Sequence, residues 1–178
     1  QLYAEDVSVA EIAASVGTPF YVYSTATLVR HFQLFDDALD GMDHCICYAM
    51  KAASNQAILK TLGNLGAGMD VVSGGEYRRA ISAGIPPEKV VFSGVGKTLE
   101  EITLALQNGI RQFNVESDSE LEQISAVASS MNKIAPIAVR INPDVDAQTH
   151  EKIATGKAEN KFGIPISRAR DVYSKASQ

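Results

Sequence analysis

Residues 66–98 read GAGMDVVSGGEYRRAISAGIPPEKVVFSGVGKT. A short apolar, β-branched run, Met69–Ser73, leads into a helical stretch, Glu76–Ala83, and a second such run follows at Val90–Ser93. The breaks between them have physical causes. Ser73 offers an oxygen to the free N–H groups that open a helix. Gly84 adopts at no steric cost the backbone that ends one, and Pro86 and Pro87 cannot continue it. Two apolar runs separated by one helix indicate a βαβ unit with parallel strands.

The same unit recurs on both sides. Apolar runs also occur at His44–Met50, Gln112–Glu116 and Pro136–Asn142, spaced by about 21–25 residues, the length of one strand, loop and helix. Ser54 or Asn55 opens a helix carrying Ile58, Leu59 and Leu62. Thr98 opens another, with Glu101 at the capping-box position. Ser117 or Asp118 opens a third, with Leu121, Ile124 and Val127 in a stripe. These stripes are read as core packing.

Consecutive βα units form either an open doubly wound sheet or a (β/α)8 barrel. Polar residues close the runs at Lys51, Asp70, Ser93, Glu116 and Arg140. Barrels carry their chemistry at such strand ends, which favours the barrel. Five units are three short of closure, so the expected fold is an incomplete (β/α)8 TIM-type barrel that continues beyond residue 178. The run TPFYVYS at 18–24 reads as a strand of a separate β-domain, dividing the chain into an N-terminal segment, 1–24, and a partial barrel, 25–178.

Composition bounds the function. Of 178 residues, 46% are hydrophobic and 21% charged, with a formal net charge of −5, so no basic nucleic-acid footprint is present. No apolar run reaches the roughly 20 residues that cross a bilayer, and no signal-peptide pattern opens the sequence. The default compartment is the cytoplasm. Cys45 and Cys47 lie two apart on one strand, roughly 6.6 Å between backbone positions. Together with His44 they lack the second ligand pair of a zinc site, and they read as packed thiols rather than a disulfide or a metal site.

Lys51 ends an apolar strand, where an amine needs a partner or a task. Alternation puts Cys45, Cys47, Ala49 and Lys51 on one face and Ile46, Tyr48 and Met50 on the other. The first face is small, leaving room for a flat ligand beside the amine. Schiff-base nucleophile, anion partner and ion-pair member all remain open on position alone.

Longer motifs narrow this. YVYS at 21–24, YAMKA at 48–52, the 66–98 stretch above, NVESDSELEQI at 114–124, VRINPDVD at 139–146, TH at 149–150 and TGKAENKFGI at 155–164 occur in order. Together they resemble the diaminopimelate decarboxylase family, pyridoxal-phosphate enzymes of lysine biosynthesis, across nearly the whole chain. The resemblance implies an alanine-racemase-like barrel with a C-terminal β-domain, a homodimer with active sites at the subunit interface, and decarboxylation of meso-diaminopimelate to L-lysine. It implies that Lys51 attaches pyridoxal 5′-phosphate, that Asp70 lies beside the cofactor and that Arg140 lines the same pocket. A pairing of Asp70 with Arg140 across the barrel stays open.

There are departures. The family's Lys-Ala-Asn is here Lys51-Ala52-Ala53, which puts the order of that loop in question. The family's glycine-rich phosphate segment and its later His, Cys and Tyr have no counterpart up to residue 178, so these residues alone are expected to show no turnover. SGVGKT at 93–98 imitates a P-loop, but Val91 stands where the motif requires its first glycine. The long loop 143–163, with Asp144, Asp146, His150, Lys152, Lys157 and Lys161, reads as a solvated loop or as a site rim or dimer contact. Rival readings are another basic amino-acid decarboxylase, a racemase of the same fold, or a non-catalytic relative.

Overall fold

The computed structural model describes residues 1–145 and 162–177. A small hairpin, β1 (Tyr3–Ala4) and β2 (Val7–Ser8), precedes two helices, α1 (Val9–Val16) and α2 (Thr25–Ala38). Five βα units follow. Their strands are β3 (Cys47–Ala49), β4 (Gly68–Val71), β5 (Val90–Phe92), β6 (Gln112–Val115) and β7 (Ile137–Val139). The helices after the first four are α3 (Gln56–Asn64), α4 (Gly74–Ser82), α5 (Leu99–Gln107) and α6 (Asp118–Ser130). Beyond β7, β8 (Ile141–Asn142) and β9 (Ile164–Pro165) form a separate parallel pair before α7 (Ala169–Ala176).

The sheet runs β3-β4-β5-β6-β7, every pair parallel, so strand order follows chain order. A doubly wound sheet would reverse its order at a switch point and carry helices on both faces. Here the strand residues in the core are of one parity: Met69 and Val71, Val90 and Phe92, Phe113 and Val115, and Val139. They pack with Leu59, Ile102, Leu106, Leu121, Ile124 and Val172 from the helices. The helices therefore cover one face, and the winding is that of a partial barrel.

Each helix start ties itself to the strand before it. Ser73, Thr98 and Ser117 accept hydrogen bonds from the N–H groups of Glu76, Glu101 and Glu120, three residues on. Each glutamate reaches back: Glu76 accepts from Val72, Glu101 from Thr98 and Glu120 from Glu116. Such caps are worth about 1 kcal/mol each, and here they also orient the strand ends. Glu101 accepts from Gly74 as well, linking the starts of α4 and α5 at 2.6 Å.

Two expectations are corrected. Residues 18–24 form no strand, because they pair with no other segment among the described residues. The run Pro136–Asn142 is two strands instead of one. The Arg140 N–H still donates to Val115, while its carbonyl accepts from Ile164, so pairing passes at Arg140 from the barrel sheet to the β8–β9 pair. Residues Asp146, His150, Lys152, Lys157 and Lys161 lie outside the described residues, as do TH at 149–150 and most of TGKAENKFGI.

Candidate active site at the strand ends

The sheet face away from the helices carries the other strand parity: Cys47 and Ala49, Gly68 and Asp70, Val91 and Ser93, Gln112, Asn114 and Glu116, then Ala138 and Arg140. It is small and polar where the helix side is large and apolar. Gly68 is required there. A Cβ at Gly68 would collide with the Lys89 carbonyl and stand 2.8 Å from the Cys47 sulfur. The expected parity of β3 holds, with Met50 buried on the helix side.

Lys51 lies just past the end of β3, exposed to solvent. Its amine makes no hydrogen bond or ion pair among the described residues. The loop after it is well held despite Ala53. The Tyr48 hydroxyl donates to the Ala53 carbonyl, Arg79 donates to the Ser54 carbonyl, and Asn55 caps α3 by accepting from Ala57. The Tyr48 and Arg79 side chains and the Asn55 cap thus order a loop that Ala53 had put in question.

Asp70 sits beside Ala49 in the register of β3 and β4. Its carboxylate accepts the Ser93 hydroxyl at 2.5 Å, and Ser93 in turn accepts from the Asn114 amide at 2.8 Å. Gln112 donates to the Asn114 side-chain oxygen, which completes a polar line across three strands.

Arg140 does not pair with Asp70. Three strand spacings, about 14 Å, separate β4 from β7, beyond direct reach. One Arg140 nitrogen donates to both oxygens of Glu116, at 2.9 and 3.1 Å. Glu116 is 2% exposed and Arg140 38% exposed. The guanidinium also lies over the Phe162 ring, 5.1 Å from its centroid.

Behind this pair is a buried lysine. Lys97 is 1% exposed at its side chain and donates to the Gly94 carbonyl, the Asn114 carbonyl and the Glu120 carboxylate at 2.7–2.8 Å. The lysine of SGVGKT is thus spent on the protein's own backbone. Gly94 has φ +86°, and its N–H donates to Glu116. Lys97 and Glu120 were not singled out from the sequence. The available signal was Glu120 three residues after Ser117, the same spacing as Thr98 and Glu101.

The two thiols are free, with their sulfurs 3.8 Å apart. Burial, reinforced by Cys45, pushes the Cys47 thiol up to about 12. His44 faces away from them, with one ring nitrogen on the Asp36 carboxylate and the other on the Met42 carbonyl.

The family described as pyridoxal-dependent decarboxylase, pyridoxal binding domain, matches residues 25–178. A diaminopimelate decarboxylase of Haemophilus influenzae is 54% identical over 99% of this chain and 43% of its own length. One of Pseudomonas aeruginosa is 51% identical over 100% and 43%. The crystal structure of diaminopimelate decarboxylase from Helicobacter pylori complexed with L-lysine superposes with a TM-score of 0.93 at 43% identity, covering 96% of this chain and 43% of that one. A lysine decarboxylase from Selenomonas ruminantium, at 24% identity and a TM-score of 0.78, shares the fold. The chain spans less than half the length of the curated relatives it matches.

Proposed function

The chain belongs to the pyridoxal-dependent decarboxylase family, and from that premise we propose that the polypeptide carrying it decarboxylates meso-2,6-diaminopimelate to L-lysine. Lys51 carries the reading. It is an exposed amine without a structural partner among the described residues, at the end of a barrel strand, in a chain 54% identical to a diaminopimelate decarboxylase.

The residues present fit pyridoxal 5′-phosphate. Ala49 and Gly68 leave the sheet face low beside Lys51, as a flat ring requires, and the Asp70 carboxylate and the Arg140 guanidinium stand at strand ends on the same face. When bound, the cofactor supplies an electron sink that lets the substrate carboxylate leave as carbon dioxide. Lys51 would attach it. Asp70, its carboxylate fixed by Ser93, and Arg140, fixed by Glu116, would hold polar groups at the pocket edge without rearranging.

The same reading takes residues 1–24 as a segment apart from the barrel, and the polypeptide as a cytoplasmic homodimer whose subunits share the active site. The capped start of α2 at Thr25 supports that division. Among the described residues no helix is long and apolar enough to cross a membrane.

The test is borohydride fixation of pyridoxal phosphate on the complete polypeptide, followed by peptide mass mapping. A reduced adduct on the Lys51 peptide, lost in Lys51→Ala, together with carbon dioxide release from meso-diaminopimelate, is the expected result. An adduct at another lysine, or release from L-lysine in preference, would overturn it. The 178 residues alone are expected to release none.

A further inference from the structure

The buried ion pair of Lys97 and Glu120 is costly to keep. Two charged side chains, 1% and 7% exposed, have left water, and apolar residues of the same size would often serve stability as well. The position of this pair explains what it adds.

Lys97 and Glu120 grip the backbone at three points around Glu116. Lys97 holds the Gly94 carbonyl and the Asn114 carbonyl, and Glu120 holds the Glu116 N–H at 2.6 Å. Gly94 is gripped from both sides, because its N–H donates to the Glu116 carboxylate at 3.1 Å. The Glu116 backbone and carboxylate are therefore both fixed before Arg140 is considered. Arg140 then meets a carboxylate with no freedom to follow it, and Phe162 lies against the guanidinium.

We infer that Lys97 and Glu120 are positioning residues for Arg140, acting through Glu116 to hold the guanidinium at the mouth of the candidate cofactor pocket. The inference rests on the proposed function only in giving Arg140 a ligand. The mechanical part, Lys97 to Glu120 to Glu116 to Arg140, stands on this chain's own contacts. The pair's charges balance each other, so its contribution is geometric. It adds no net charge at the site.

Two measurements test it on the complete polypeptide. The first is pyridoxal phosphate affinity in a double-mutant cycle of Lys97→Met and Arg140→Ala. Lys97→Met is expected to weaken binding about tenfold when Arg140 is present and less than about twofold when it is absent, a coupling of at least about 1 kcal/mol. Equal losses in both backgrounds, or none, would mean a purely structural role and overturn the inference. If Lys97→Met does not fold, Glu120→Gln carries the same cycle.

The second measurement needs no cofactor. Nitrogen-15 signals of the Arg140 guanidinium are expected to show restricted rotation in the wild type and averaging in Lys97→Met or Glu120→Gln. Unchanged restriction in a folded variant sinks the inference. If the wild type binds no pyridoxal phosphate, the proposed function fails, while the guanidinium signals still decide the positioning role.

Discussion

Ser93 donates its hydroxyl to Asp70 across the β4–β5 boundary while accepting from Asn114 on β6. A single oxygen thus joins three strands on the polar sheet face and leaves the Asp70 carboxylate directed along a known bond. Asp70 is fixed by a neutral neighbour, and Arg140 by a separate carboxylate. The two candidate site residues are held independently.

Ser93→Ala should therefore act on Asp70 and Asn114 together. The Asn114 amide loses its acceptor and Asp70 loses its donor. The expected loss of stability is about 1–2 kcal/mol, read by urea unfolding of the complete polypeptide. Ser93→Thr, which keeps the hydroxyl, should recover part of it. A stability unchanged in Ser93→Ala would show that water replaces the hydroxyl at no cost.

Glu116 and Arg140 should respond asymmetrically. Arg140→Ala strands a carboxylate that is 2% exposed, and its expected cost is about 2–3 kcal/mol. That is below the value for a fully enclosed pair, because the Arg140 side chain is 38% exposed. Glu116→Gln leaves the arginine able to turn to solvent and should cost less than Arg140→Ala. The reverse order in denaturant midpoints would contradict the burial argument.

Two groups set opposite slopes of stability against pH. Burial pushes the Glu101 carboxyl up, but the N–H groups of Thr98 and Gly74, the Thr98 hydroxyl and Arg78 together bring it below its ordinary 4.5. Its folded form binds fewer protons, so its stabilisation is present above 4.5 and fades as the pH falls through the lower folded value. His44 runs the other way. Asp36, then the Met42 carbonyl, raise it above 6.5, since both ring nitrogens face acceptors and the doubly protonated ring satisfies both. Its stabilisation is complete below 6.5 and is lost as the pH rises through the folded value. Unfolding midpoints across pH should flatten at the acid end in Glu101→Gln and at the neutral end in His44→Asn. A profile unchanged in either variant would remove that group from the account.

Much of the barrel was legible because its signals are local. A strand of about four residues buried on one face, a capped helix and a terminal glycine each leave their mark within one βα unit, and the repeat at 66–98 carries all of them. The parity of β3 was readable for the same reason, since side chains must alternate along a strand. Lys51 could therefore be placed at a strand end, on the small face, before any coordinates. The Ser-x-x-Glu spacing at Ser73 and Ser117 was also present, but only Thr98 and Glu101 were read as a capping box. The strand expected at 18–24 is not formed among the described residues, because its apolar pattern is local while a strand requires a partner, here one expected in a β-domain outside them.

What the sequence determined by itself is the order of the barrel's βα units, the face that each residue of β3 presents and the lysine at the end of that first barrel strand. These follow from steric alternation and from backbone groups satisfied within a few residues. What only the tertiary structure decided is which charges meet. Arg140 finds Glu116 instead of Asp70, and Lys97 is used up inside the protein. Charged side chains select partners by distance across neighbouring strands, about 5 Å apiece, and that distance is set by the curvature and register of the whole sheet.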